Sequence, residues 1–355
     1  MSSRNYPLNA WYVAAWDYEL KKNAMLTRTI CEKKVVLFRK PDGSSVALED
    51  ACWHRLVPLS MGTLKDGTIK CRYHGLVFDA AGKCVHMPSQ DTINPSACVR
   101  SFPLVERHRF AWIWMGQPHL ADENLIPDLH WNDHSDWTGD GGVIGLAASY
   151  ELAIDNLMDL THETFVHPES IGNDAIADAP FTVTHSHKQV TVTRWMEGIE
   201  PPAFWGAQLG KPGLVDRWQI IHFQAPSTVA LDVGVAVAGT GAKEGDRRQG
   251  VNGFVLHTFT PTTGNNSLYF WSICRNYNLS SVRLTTEWRD AVKGIFAQDE
   301  DILEAQQKAM DANPAKVFYN LNIDAGGMWA RRKIDEMIQA EQHATSAVPL
   351  RIVSE

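Results

Sequence analysis

Hydrophobic and polar residues alternate in short runs along the first third of the chain, with turn residues between the runs. "VVLFRK", "PDGS" and "VALEDA" predict a strand, a turn and a strand, and "TIKCRYHGLVFDAAGKCVHMP" predicts another pair around "AAGK". "FAWIWMG" at Phe110–Gly116 is an aromatic-rich strand ended by glycine. Residues 1–115 are therefore expected to form an all-β domain. The polar, proline-dotted stretch over residues 116–140 reads as a linker.

After residue 141 the pattern changes. Residues 150–167 carry a helical period. "VTVTRWMEG", "RWQIIHFQAP", "VALDVGVAVAGTG", "GVNGFVLHTFTP" and "SLYFWSICRNY" alternate as antiparallel strands do. Residues 283–311 predict a long amphipathic helix, and "GGMWARRKIDEMIQAEQ" predicts a last, shorter one. The expected fold class is α+β: a β domain, then a domain over residues 141–345 built on an antiparallel sheet flanked by helices. Residues 346–355 read as a frayed tail.

Composition sharpens this outline. At 355 residues the chain exceeds what one core usually serves, so two domains are expected. A formal net charge of −8 speaks against nucleic acid as a partner, because phosphate binding needs a basic face. No run of 18 apolar residues occurs, and "MSSRNYPLNAWYVAAWDYEL" lacks the apolar stretch of a signal peptide. No membrane association is expected, and the cytoplasm is the expected location. In that compartment six cysteines point to metal or catalytic use before disulfides. Cys31, Cys84, Cys98 and Cys274 have no partner spacing and are expected to be buried thiols.

The other two cysteines stand in "CWHRLVPLSMGTLKDGTIKCRYH", where Cys52 and His54 form C-x-H and Cys71 and His74 form C-x-x-H. One type of iron–sulfur cluster replaces two of its four thiolates by two imidazoles on one iron. One Cys and one His from each of two loops suit such a [2Fe–2S] cluster. Zinc fingers pair cysteine with cysteine and histidine with histidine, and a C-x-H pair does not fit that habit.

A second stretch, "DNLMDLTHETFVH" at residues 155–167, offers carboxylates and imidazoles without sulfur. On a continuous helix Asp155, Asp159 and His162 would share a face. His162 and His167 would then point about 140° apart at 3.6 residues per turn. Both can reach one metal ion only if the helix ends or bulges between them. Two histidines and one carboxylate with open positions form the facial triad of Fe(II) oxygenases, and the carboxylate must come from elsewhere in the chain.

Together the two patterns resemble the oxygenase components of Rieske non-haem iron monooxygenases, within them the vanillate O-demethylase group. The likeness runs from "NAWYVAAW" to "NIDAGGMWARR". Trp53 departs from it, since proline often stands between those ligands, and the change is expected to affect loop packing or potential. The resemblance implies that Cys52, His54, Cys71 and His74 hold the cluster, and that His162, His167 and Asp299 hold the iron. Glu300, Asp301 and Glu304 in "FAQDEDILEA" are not excluded by spacing alone. It further implies that Asp159 links His74 of one subunit to His162 of the next in a head-to-tail homotrimer, and that Asn156 lies near the iron.

The implied reaction takes electrons from NADH through a separate flavin and iron–sulfur reductase, since the chain has no dinucleotide fingerprint of its own. O2 and a small methoxy-substituted aromatic acid such as vanillate are the expected substrates, and a phenol (protocatechuate) and formaldehyde the products. Hydroxylation of a methyl or sulfonate arene on the same scaffold is the alternative, with a plain Rieske electron carrier further behind. His257 and His222 are candidate substrate contacts; Arg194 and Arg217 are weighed as carboxylate partners but expected at the surface.

Overall fold

A computed structural model describes residues 5–187 and 189–346. The chain divides into two compact units. Among the described residues, one is Pro7–Ile126 with Thr260–Gly264; the other holds Asn5 and Tyr6, Pro127–Phe259 and residues 265–346.

The first unit is all-β. Its strands are β1 (Trp11–Trp16), β2 (Met25–Ile30), β3 (Lys33–Arg39), β4 (Ser45–Glu49), β5 (Thr63–Lys65), β6 (Thr68–Lys70), β7 (Val77–Phe78), β8 (Cys84–His86), β9 (Ser101–Phe102), β10 (Leu104–Arg107) and β11 (Phe110–Trp114). They form three small sheets, ordered β1-β11-β10, β2-β3-β4-β9 and β5-β6-β7-β8. Val36, Phe38, Leu48, Leu59, Ile69 and Phe78 pack into one core that also takes in Cys52 and Cys71. Three of the four remaining cysteines are buried, but Cys98 is exposed. Its neighbours Ala97 and Val99 face inward, so the period-2 alternation of extended chain turns Cys98 out.

The second unit is built on one antiparallel sheet of β12 (Thr138–Leu146), β13 (Phe181–His185), β14 (Gln189–Ile199), β15 (Val215–Gln224), β16 (Thr228–Val237), β17 (Gly250–Pro261) and β18 (Ser267–Arg275). Its order is β12-β18-β17-β16-β15-β14-β13. This is the α+β class expected. Strand β12, "TGDGGVIGL", is rich in glycine, a residue that is poor in strands. Here glycine permits close approach: a Cβ at Gly141 would lie 1.9 Å from the Trp271 carbonyl oxygen.

The helices are α1 (Tyr150–Met158), α2 (Glu163–Val166), α3 (Asp174–Asp178), α4 (Ala203–Leu209), α5 (Val282–Ala312) and α6 (Ala325–Ser346). Helix α5 matches the long helix expected, and Ser281 caps it by accepting from the Leu284 N–H. The single helix expected over 150–167 is instead broken. Asp159 is extended at φ −131° and ψ 105°, and a 3-10 turn over Leu160–His162 follows before α2.

The stretch read as a linker is packed at both ends. The Trp11 indole donates to the Asp122 carbonyl within the first unit. Within the second, Trp131 stacks on Phe254 with ring centres 3.9 Å apart. Of the tail expected at 346–355, residues 347–355 lie outside the described residues.

Candidate metal centres

The two Cys-His loops share one backbone design. The Cys52 N–H donates to the Val57 carbonyl and the Leu56 N–H returns to Cys52; the Cys71 N–H donates to Leu76 and the Gly75 N–H returns to Cys71. Each is thus a six-residue knuckle whose fifth residue has positive φ, 58° at Leu56 and 73° at Gly75. The histidine is third in one knuckle and fourth in the other, which is why the spacings differ. The knuckle cysteines are buried and the histidines exposed, with imidazole centres 4.6 Å apart. Burial pushes the Cys52 thiol up, with Cys71 beside it as a further cause.

Among the described residues, three ligand-type atoms come within 4.8 Å of one another at His162, His167 and Asp299. The knuckle donors do not close up this far. Two buried sulfurs and two exposed imidazoles spread over a wider gap suit a two-iron cluster better than one tetrahedral ion.

The second centre is assembled from two places. The chain break at Asp159 and the end of α2 at His167 bring the two imidazoles together, with ring centres 5.5 Å apart and planes at 76°. The required interruption therefore falls before His162. It also separates Asp155 from the pair: that carboxylate is held by Arg331 at 2.6 Å. Asp299 comes from α5, where Val292, Ile295, Phe296 and Asp299 are spaced i, i+3, i+4, i+7 and all buried. Glu300 is only partly buried and Asp301 is exposed. That apolar stripe is a sequence signal that singles out Asp299 from its acidic neighbours.

Both imidazoles turn Nε2 toward Asp299 Oδ1, at 3.4 Å for His162 and 3.2 Å for His167. Their other nitrogens are occupied. His162 Nδ1 lies 2.7 Å from the Asp159 backbone carbonyl, and His167 Nδ1 lies 2.6 Å from Gln298 Oε1. A carbonyl-type oxygen only accepts, so each Nδ1 carries a hydrogen; a neutral ring then keeps its lone pair on Nε2, the tautomer a metal ion needs, while a proton on Nε2 would instead bond Asp299. Asn156 donates to Asp299 Oδ1 at 3.2 Å. Burial lowers the His167 pKa, but the hydrogen bond and charge of Asp299 outweigh it and the net shift is upward. Protons and metal ions compete for that nitrogen, so metal affinity weakens as pH is lowered.

The Asp159 carboxylate accepts from the Thr161 N–H at 3.0 Å and lies 3.7 Å from Arg194. Its link to His162 in this chain runs through the backbone. Arg194 and Arg217, expected at the surface, are buried, at 4% and 1% exposure. Arg217 pairs with Glu163 Oε2 at 2.8 Å, and Gln219 donates to the same oxygen. The pair ties α2, which separates the two histidines, to β15. Gln298 and Glu163 carry no marker in the sequence beyond standing next to Asp299 and His162.

A cavity reaches the triad, with His162, His167 and Asp299 in its lining. Leu157, Leu160, Leu231, Val233, Val255 and Phe296 are among its walls, and His257 lines it as well. His222 does not. Arg217 and Gln219 face Glu163, whereas Trp218 and Ile220 pack with Trp195 on the other face of the sheet. By alternation His222 sits on that second face, beside Thr191, and is not brought to the cavity.

Comparison with known proteins bears on the whole chain. The Rieske [2Fe-2S] domain family matches residues 10–103, and the family described as vanillate O-demethylase oxygenase C-terminal domain matches residues 146–340. The chain is 42% identical to the vanillate O-demethylase oxygenase subunit of a Pseudomonas sp. (strain HR199 / DSM 7063), over 96% of this chain and 98% of that one. The chain belongs to the vanillate O-demethylase family of Rieske oxygenases. Other members include the toluene-4-sulfonate monooxygenase iron–sulfur subunit of Comamonas testosteroni, 36% identical over 95% of this chain and 99% of that one. A dicamba monooxygenase structure with non-heme iron and dicamba superposes with a TM-score of 0.82 at 31% identity, covering 95% of this chain and 98% of that one. As a member, the chain is the oxygenase component of a Rieske non-haem iron monooxygenase. Its cofactors are a [2Fe–2S] cluster and mononuclear iron, and a separate reductase supplies its electrons. Among the described residues no helix is long and apolar enough to cross a membrane.

Proposed function

We propose that this chain is the terminal oxygenase of a two-component system that O-demethylates a methoxy-substituted aromatic acid such as vanillate. The observation that carries the reading is the apolar cavity ending on the His162–His167–Asp299 triad. Cys52, His54, Cys71 and His74 hold the cluster, and the triad holds the iron with Asn156 beside it. With both groups bound, one-electron transfer and O2 activation are the chemistry they bring.

The protein's own part is binding and orientation. Apolar walls exclude water, the two Nε2 lone pairs stay available, and His257 contacts a polar group of the substrate. Hydroxylation of the methoxy carbon gives a hemiacetal, which collapses to the phenol and formaldehyde. The balance is ArOCH3 + O2 + NADH + H⁺ → ArOH + HCHO + NAD⁺ + H2O, with NADH oxidised at the reductase. The protein works as a head-to-tail homotrimer in the cytoplasm, with Asp159 between His162 and the His74 of a neighbouring subunit.

The test follows formaldehyde and O2 together in iron-loaded protein with a compatible reductase, NADH and vanillate. Equal amounts support O-demethylation. The likeness to a toluene-4-sulfonate monooxygenase supports a second reading, methyl hydroxylation of a sulfonate arene. O2 uptake without formaldehyde on vanillate, and a benzylic alcohol from toluene-4-sulfonate, would establish that instead.

A further inference from the structure

Among the described residues that line the cavity, two buried polar atoms have no hydrogen-bond partner, Arg217 Nε and His257 Nε2. His257 is 1% exposed, and its Nε2 is buried without a hydrogen-bond partner. The other ring nitrogen, Nδ1, lies 2.6 Å from the Tyr269 hydroxyl. The two side chains come from β17 and β18, neighbours in the sheet.

The direction of that bond follows from the phenol. Burial raises the Tyr269 pKa well above its usual value, so the hydroxyl keeps its proton. Nδ1 is its one partner among the described residues. The proton therefore points at Nδ1, since the alternative leaves a buried O–H unmatched. Burial also lowers the His257 pKa to about 3, so the ring is neutral and carries a single N–H. With Nδ1 accepting, that hydrogen sits on Nε2.

We infer that Tyr269 is a positioning residue that fixes His257 as an Nε2–H donor, so that the cavity selects arenes presenting an acceptor oxygen there and rejects those presenting an amine or methyl group. The inference rests on the substrate reading above and deepens it. The cation in the lining, Arg217, spends its terminal nitrogens on Glu163 at 2.8 Å and on the Ile171 carbonyl at 3.0 Å, which leaves only its Nε unpaired. Leu231, Val233, Val255 and Phe296 offer no polar alternative. The acceptor is either the carboxylate or the phenol oxygen of a vanillate-like acid, and the two analogues below tell these apart.

The experiment measures dissociation constants for vanillate, 4-amino-3-methoxybenzoate and 2-methoxy-4-methylphenol on the holoenzyme and on its Tyr269→Phe variant. The wild type should reject whichever analogue lacks the oxygen that faces His257 by about 100-fold or more, as sites built around a hydrogen bond do. In Tyr269→Phe the ring is free to change tautomer, and the ratio should fall below about 10-fold, appearing in KM with kcat largely kept. Equal weakening of all three ligands, with the ratio retained, overturns the inference and makes Tyr269 merely structural. Equal binding of all three by the wild type overturns it too. If no methoxyarene binds, the substrate reading fails, and ¹⁵N shifts of histidine-labelled, zinc-loaded protein decide the tautomer directly. A protonated Nε2 that loses its preference in Tyr269→Phe sustains the donor, and a bare Nε2 overturns it.

Discussion

The two metal centres are built by opposite means. The sulfur–imidazole centre uses two knuckles of one design, Cys52–Val57 and Cys71–Leu76, each closed by its own backbone hydrogen bonds. Its geometry is local, and its histidines face solvent. The triad draws on a broken helix and on a carboxylate 132 residues beyond His167, and neighbours hold each imidazole. A local centre stands on its own loops; an assembled one depends on the packing around it. Removing His162 should therefore separate the two. His162→Ala should abolish turnover while the cluster keeps its absorption and electron paramagnetic resonance signals, and Cys52→Ala should do the reverse to the metal contents. Loss of the cluster signal in His162→Ala would show that the centres are not independent.

The same contrast applies to stability. The pair Arg217–Glu163 is buried on both sides, while Arg107–Glu123 in the first unit is 36% and 58% exposed. Arg217→Met leaves Glu163 buried and uncompensated, which should cost about 3–5 kcal/mol. Arg107→Met should cost at most about 1 kcal/mol, because water screens that pair. Chemical denaturation of the two variants gives both numbers. Similar costs would mean that Arg217 is not what holds α2 in place.

The difference also explains what could be read from the sequence. Cys52, His54, Cys71 and His74 stand out as candidates because the residues of each knuckle lie close together in the chain. The long helix and the β17 strand were legible from their periods. Asp299 needed its place in the apolar stripe of α5 rather than its neighbourhood of acids. Arg217 was misjudged because a lone arginine in a strand carries no sign of the distant carboxylate that lets it be buried. His222 and His257 look alike in sequence, but alternation places them on different faces, and only the sheet shows which face holds the cavity. The interruption that H-x4-H requires was expected between the two histidines, and it falls ahead of both, where Asp159 caps the next turn.

Gln298 sharpens the comparison one step further. It is the partner of His167 Nδ1 and has no counterpart in a knuckle that depends on backbone alone. Gln298→Ala should lower mononuclear iron affinity by about 10–100-fold, the usual effect of losing a ligand's outer partner. Cluster content should not change. Titration with Fe(II) against a chelator of known affinity measures it, and unchanged affinity would show that the His162 and Asp299 contacts suffice to orient the site.

The smallest effect lies within the local centre, between its two loops. Both knuckles need positive φ at the fifth residue, but one has Leu56 there and the other Gly75. A Cβ on Gly75 would also meet Pro88 Cγ at 3.1 Å. Gly75→Ala should therefore cost about 1–2 kcal/mol, the penalty for a side chain in left-handed backbone. Leu56 already bears that strain, and its side chain is 74% exposed with little packing to lose. Leu56→Gly should shift stability by less than about 0.5 kcal/mol, because the strain relieved and the chain entropy gained by the unfolded state oppose each other. Thermal unfolding of the cluster-loaded protein separates the two. If Gly75→Ala proves as mild as Leu56→Gly, the second knuckle tolerates a side chain as the first does. Glycine would then serve close approach to the cluster rather than the turn itself, and a shifted cluster potential in Gly75→Ala would be its signature.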